Sequence, residues 1–298
     1  MKNLSITMRT PCVLAGLALL AACAGTSAPS APSAPVAASA AVPQGSIKGS
    51  VKAHSAATLQ QTLDQAWVSL PASVTGGAAY HGVYSQAPAA KAKAPVVVFV
   101  HGSSGVNPAI KAWQKWAAES LGLASFTADS MQTADRMTYK SPIAKADYEI
   151  VHSMRLAELG AAVAALPQLP FADASRFVIA GTSEGAVAVA RYQAPAGAAA
   201  EKGRLIFSWT CEDNYHVQSH GTQLPKELPV LNIVSSTDIY FSKSNSWVGN
   251  PAPQGHCGQA LQDSKVASVV MIPGAPHTLF NLPQARWATE GFLKAHLQ

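Results

Sequence analysis

Charge is scarce in this chain. Only 12% of its 298 residues are charged, and the 21 Lys and Arg against 16 Asp and Glu are scattered rather than gathered into a stripe. Despite a formal charge of +5, that distribution excludes a protein that tracks nucleic-acid phosphates. Cysteine is scarce too: four residues are too few for a fold that substitutes disulfides for a core. No apolar run has the ~20 residues of a membrane-spanning helix. No internal repeat is present, which excludes a solenoid. What remains is a chain with 48% hydrophobic residues. That is enough for a substantial core, and the length suits one large α/β domain with a short appendage.

The appendage lies at the N-terminus. Lys2 and Arg9 precede a short apolar stretch from Val13 to Ala22, the pattern of a secretory signal. The stretch ends in Leu20-Ala21-Ala22-Cys23, which resembles the lipobox of bacterial lipoproteins. The resemblance implies cleavage after residue 22, a diacylated Cys23, and a protein held by lipid at the cell envelope, facing the periplasm or the surface. An ordinary cleavage site with an incidental Cys is the competing reading. Residues 24–45 are mostly Ala, Ser and Pro, a composition that stays extended and builds no core. The expected division is therefore a signal over 1–22, a linker over 23–56 and a catalytic domain over 57–298. Leu59, Leu63, Ala66 and Trp67 fit helical spacing, which predicts a short docking helix before the main body.

The body alternates β-rich runs with helical ones. Val96 to Val100 is a continuous apolar run, as expected of a parallel strand buried on both faces. Asn107 and Pro108 mark a helix start. Further strands are expected at 124–127, 177–180, 205–209, 230–234 and 267–272, with helices at about 145–166, 186–192 and 284–297. Such alternation specifies a mostly parallel central sheet with helices on both faces, and places reactive groups at the carboxyl ends of the strands.

The segment Gly181-Thr182-Ser183-Glu184-Gly185 lies between a predicted strand and a predicted helix. A nucleophile raised on so sharp a turn needs neighbours without bulk two positions away on each side, and Gly181 and Gly185 meet that need. A Ser hydroxyl is a poor nucleophile near neutral pH and requires a base. Two later loops at strand ends supply the partners in order: Asp238 after the strand 230–234, and His277 after the strand 267–272. His277 takes the role of general base, and Asp238 that of the group that orients it, with Asp213 and Asp263 as the other downstream acids. An oxyanion hole needs two backbone N–H groups. Glu184 directly follows the nucleophile, and Ser103 lies in the small-residue loop His101-Gly102-Ser103-Ser104-Gly105. That loop lacks the Lys and the spacing of a P-loop.

Together these features resemble the α/β-hydrolase superfamily over roughly residues 79–298. Within it, the chain looks most like the dienelactone hydrolase-related branch. Asp129-Ser130 followed by Arg136 is similar to an Asp-Ser-Phe…Arg segment of that branch, and Pro273-Gly-Ala-Pro-His277 to its Tyr-Pro-Gly-Ala-x-His loop. Founding members use Cys as nucleophile, whereas Ser183 stands here, which favours ester or amide hydrolysis over dienelactone cleavage. A Cys on either side of the acid-bearing strand also recurs in some members, here Cys211 and Cys257. These two are also the pair left after Cys12 departs with the signal and Cys23 takes lipid, and an exported chain keeps disulfides. A zinc site using His216, His220 or His256 is the rival reading, but the spacings match no familiar zinc motif, so no metal is expected. Trp209, Tyr215, Tyr240, Phe241 and Trp247 cluster in sequence around the acid loop, as pocket lining or as packing.

The expected activity is cleavage of a small-molecule carboxylic ester through an acyl-enzyme, with no cofactor. A peptidase or amidase on the same triad, and a non-catalytic envelope lipoprotein on a hydrolase scaffold, are the alternatives. Substrate identity is not legible, because specificity lies in pocket shape.

Overall fold

The computed structural model describes residues 44–245, 247–248 and 253–298. The expected signal, Cys23 and the linker up to residue 43 lie outside the described residues. The chain opens with β1 (Ser46–Lys48), α1 (Ala56–Asp64), β2 (Trp67–Leu70), α2 (Ala72–Thr75), β3 (Tyr80–Val83) and β4 (Ala94–Val100). Next come α3 (Pro108–Leu121), β5 (Ala124–Thr127), β6 (Thr138–Lys140), α4 (Lys145–Ala165), β7 (Ala172–Thr182) and α5 (Glu184–Arg191). The last elements are β8 (Arg204–Phe207), β9 (Val230–Ser235), β10 (Ala267–Ile272) and α6 (Pro283–Leu297).

Eight strands form one sheet in the order β10-β9-β8-β7-β4-β5-β2-β3. The run from β10 to β5 is parallel, while β2 pairs antiparallel with both β5 and β3. Alternation along β4 shows why its sequence is apolar throughout. Val96, Val98 and Val100 enter a core shared with α1, α4 and α5. Val97 and Phe99 enter a second core with α3 and α6. A strand covered on both faces has no polar side to display. The mostly parallel sheet, the crossover helices on both faces and the strand–Ser–helix turn between β7 and α5 define an α/β-hydrolase fold.

Local chemistry sets the helix starts. Asn107 accepts the amides of Ala109 and Ile110 at 3.0 and 3.1 Å, and Pro108 follows it at the first helical position. Ser55 and Thr58 form a reciprocal capping box at the start of α1.

The N-terminal boundary differs from the expected linker over 23–56. Residues inside that expected linker form strand structure: β1 pairs antiparallel with β6, and Val51 bridges to Arg136. The Ala/Ser/Pro-rich composition ends near residue 45, and the residues after it find backbone partners in a hairpin-like strand far along the chain. Trp67 also departs from helical expectation. Its spacing fits a helix, but α1 ends at Asp64 and Trp67 starts β2, where Lys111 lies 3.9 Å from its ring centroid.

Candidate active site

Ser183 occupies the turn between β7 and α5 with φ 54° and ψ −121°, a left-sided conformation that costs energy for a residue with a Cβ. The flanking glycines explain how the turn closes. A Cβ on Gly181 would lie 2.6 Å from the Gly185 carbonyl oxygen, and one on Gly185 only 2.2 Å from that of Val100. Neither position has room for a side chain. Gly102 lies close to Ser183 with less constraint, since a Cβ there would approach the Ser183 Cβ to 3.3 Å.

Asp238 and His277 come from loops after β9 and β10, which are adjacent and parallel. His277 Nδ1 donates to Asp238 Oδ2 at 2.7 Å. The second Asp238 oxygen accepts the amides of Tyr240 and Phe241 at 2.8 and 3.1 Å, which holds the buried carboxylate in one orientation. With Nδ1 donating, the Nε2 lone pair is the one left for base chemistry. The His277 loop is fastened by two hydroxyls: Ser208 Oγ donates to the His277 carbonyl at 2.5 Å, and Ser235 Oγ to that of Ala275 at 2.6 Å. Ser183 and His277 line a common cavity of about 620 Å³, together with Gly102, Ser103 and a set of aromatic side chains. Asp213 lies exposed on the loop after β8 and accepts the His220 amide, while Asp263 pairs with Lys226 on the surface; neither lines that cavity.

Ser103 faces the cavity, and its amide makes no backbone hydrogen bond among the described residues. Glu184 is the first residue of α5, where helix N–H groups have no intrahelical acceptor. Its side chain turns the other way, into a buried ionic cluster that sequence reasoning missed. Glu184 Oε1 accepts from Arg136 Nη2 at 3.1 Å and lies 3.5 Å from Arg155 Nε. Arg155 also pairs with Glu158 and donates to the His101 carbonyl at 2.9 Å. Glu158 accepts from Ser130 Oγ and from His54 Nε2. Burial alone pushes the Glu158 carboxyl up, but the Arg155 charge first, then the hydrogen bonds from His54 and Ser130, outweigh it and hold the group at about 2. His54 thus ties the segment before α1 to the layer beneath the His101–Gly105 loop.

His101 completes that layer. Its Nδ1 donates to the Gly102 carbonyl at 2.7 Å, so Nε2 accepts from the Ser130 amide at 3.2 Å and from Arg155 Nη1 at 3.3 Å. Burial, then the Arg155 charge, lowers its pKa well below the usual imidazole range, so the ring stays neutral and keeps this tautomer. The only sequence signal of the cluster was the Asp129-Ser130…Arg136 resemblance, which says nothing of Glu158 or Arg155.

Cys211 and Cys257 are joined by a disulfide with their Cα atoms 4.7 Å apart. It links the end of β8 to the segment after the acid loop. Of the histidines weighed as zinc ligands, His220 and His256 each accept an amide of their own loop, and His216 lies in the cavity wall. Of the aromatics near the acid loop, Tyr215, Tyr240, Phe241 and Trp247 line the cavity, whereas Trp209 is buried behind them.

No family model matches the sequence, and no curated protein matches it. Solved structures match over most of the chain. Est1E from Butyrivibrio proteoclasticus is similar at 17% identity, over 77% of this chain and 91% of its own, with a TM-score of 0.43. A dienelactone hydrolase-like promiscuous phosphotriesterase from metagenomic libraries is similar at 17% identity over 78% and 98%, with a TM-score of 0.48. An α/β serine hydrolase without a lid from Xanthomonas campestris is similar at 15% identity over 78% and 86%, with a TM-score of 0.45. The fold assignment here rests on sheet order and on the turn at Ser183.

Proposed function

We propose that this protein is a serine hydrolase that cleaves a carboxylic ester through an acyl-enzyme. The observation that carries the reading is the pairing of His277 with a doubly anchored Asp238, on the wall of the cavity that also receives Ser183 from its strained turn. Ser183 Oγ attacks the ester carbonyl while His277 Nε2 takes its proton. The developing oxyanion receives the amides of Ser103 and Glu184. Collapse expels the alcohol, protonated by His277. A water activated by the same imidazole then releases the acid and restores Ser183. Asp238 holds the imidazole's tautomer and stabilises its cation. The cycle needs no cofactor. An amide would pass through the same intermediates. A pure binding protein has no use for a Ser held at positive φ in the same cavity as a hydrogen-bonded Asp–His pair.

Ser183→Ala tests the reading. The elbow backbone stays, only the attacking oxygen goes, and hydrolysis of p-nitrophenyl acetate is expected to fall by roughly 10³ or more. Turnover near that of the unaltered protein would sink the mechanism.

We also infer, from the sequence at residues 1–45, an exported protein anchored through lipid on Cys23. Cys23→Ala is expected to leave the washed membrane fraction or to arrest processing. Unchanged membrane fractionation after a salt wash would contradict the anchor.

A further inference from the structure

The segment 45–54 precedes every strand of the eight-stranded sheet, yet it is built onto the wall of the cavity. The stretch it meets is 135–142, in which Tyr139, Lys140 and Ser141 line the same cavity as Ser183. Strand β6 of that stretch has one strand partner among the described residues, and it is β1. Ser46 stands opposite Lys140, Ile47 opposite Tyr139 and Lys48 opposite Thr138. The pairing continues beyond both ends of β1. The Gly45 amide donates to the Pro142 carbonyl at 2.8 Å. Val51 brackets Arg136: its amide donates to the Asp135 carbonyl and its carbonyl accepts the Met137 amide, each at 2.9 Å. Arg136 in turn reaches Glu184, the residue after Ser183.

Strain and close approach both mark this contact as specified. Asp135 sits at φ 53°, a conformation that a residue with a Cβ keeps only where its surroundings over-determine it. Here the segment supplies those surroundings. The Asp135 carbonyl accepts the Ser50 and Val51 amides at 3.0 and 2.9 Å, and its carboxylate accepts Ser50 Oγ at 2.5 Å. The two chains also run too close for a side chain at Gly45 or Gly49. A Cβ on Gly45 would lie 1.9 Å from the Lys140 carbonyl oxygen. One on Gly49, itself at φ 81°, would lie 2.3 Å from that of Arg136. His54 fastens the far end to Glu158 at 2.7 Å. Without this segment β6 has an unpaired edge, and the strained turn at Asp135 loses the bonds that hold it.

Building on the hydrolase reading, we propose that residues 45–54 are a positioning strap of the active site, which sets the place of the 139–141 wall and through it the choice among esters of different bulk. The test uses the full chain. Gly45→Ala and Gly49→Ala wedge the strap away from the wall, and Gly77→Ala, where a Cβ meets nothing within 4 Å, is the control. 1-Naphthyl butyrate, bulky on both sides of the scissile bond, is compared with methyl acetate. The ratio of their kcat/KM values is measured on one preparation, so the folded fraction and any loss common to both esters cancel. In each wedge variant this ratio is expected to fall about tenfold, through a higher KM for the naphthyl ester. In the control it is expected to stay within about twofold. A ratio unmoved in both wedge variants, or an equal fall in Gly77→Ala, would overturn the proposal.

Hydrogen exchange reads the strap without turnover. Protection of amides 137–141 is expected to fall about tenfold in the wedge variants, while 178–182 keeps its own. Unchanged protection over 137–141 overturns the proposal. Should both wedge variants fail to fold, Ser50→Ala removes only the hydroxyl bond to Asp135. The same ratio and the same protection are then expected to fall about threefold, and no change in either overturns the proposal. Hydrolysis of both esters with ratio and protection unmoved removes only this inference. If the unaltered protein hydrolyses neither ester, the hydrolase reading falls, and exchange alone decides whether the strap holds the wall.

Discussion

On the β4–β7 side of the cavity, the support for the site is ionic. His101, which shapes the oxyanion loop, is held by Arg155, and Arg155 is held by Glu158 and Glu184, all buried. On the β8–β10 side the support is aromatic, hydrogen-bonded and covalent. Asp238 is fixed by two amides, and the His277 loop by two hydroxyls. Tyr240 packs on the His277 ring at 4.7 Å, and the Cys211–Cys257 bond staples the neighbouring loops. The difference follows from what each side positions. Under the proposed mechanism the His101–Gly105 loop presents a backbone amide, so its carbonyls and its imidazole need donors from below, and buried Arg155 supplies them. Under the same mechanism the Asp238 and His277 loops present side chains, so their backbones are pinned and their rings are packed. One flank should therefore respond to acid and the other to reductant.

The largest effect should come from the β9–β10 side. Asp238→Asn can keep the Tyr240 and Phe241 amides on its oxygen, but it then offers N–H groups to His277 Nδ1. That favours the wrong tautomer, and kcat is expected to fall by about 10³–10⁴ with little loss of stability. Activity within tenfold of the unaltered protein would show that Asp238 does not orient the base.

The disulfide comes next. It closes a loop with a sequence separation of 46, worth about 4 kcal/mol in the chain-entropy model. The double variant Cys211→Ala/Cys257→Ala should lose about that much in urea unfolding, to a similar extent at pH 7 and pH 5. Hydrogen exchange should rise over residues 236–245 more than over 101–105. Equal protection losses in both loops would erase the division between the flanks.

The smallest of the three sharpens the ionic side. Glu158 is held at about 2 against an ordinary value of 4.5. A depressed carboxyl stabilises the fold above its unfolded pKa and loses that contribution as pH falls through the folded one. The sign therefore predicts acid weakening between about pH 4.5 and 2, by about 3 kcal/mol. Glu158→Gln should be less stable at pH 7 and show a shallower acid slope over that range. An unchanged slope would mean that the ionic layer does not govern the acid response.

Some of this arrangement is local in sequence, and so was legible there. The spacing of Gly181, Ser183 and Gly185 follows from contacts within one turn and with the adjacent strand, where a Cβ has no room. The unbroken apolar run of β4 follows from burial on both faces. Asp238 and His277 were legible because parallel strands deliver their following loops to one edge. Others were not. Leu59 and Leu63 did mark α1, but Trp67 fits the same helical spacing and belongs to β2. A short run cannot declare its period until a neighbouring strand claims it.

What the amino-acid sequence determined by itself is the order of elements, the turn at Ser183 and the loops that carry Asp238 and His277, because each is written by residues close together or by a rule of chain order. Only the tertiary structure decided that His54 reaches Glu158 across 104 residues, that the Glu184 side chain joins Arg136, and that His216 stands unpaired in an aromatic wall. Those are meetings between distant segments, and no periodicity records them. A buried polar group reveals its purpose only through the partners that the fold brings to it.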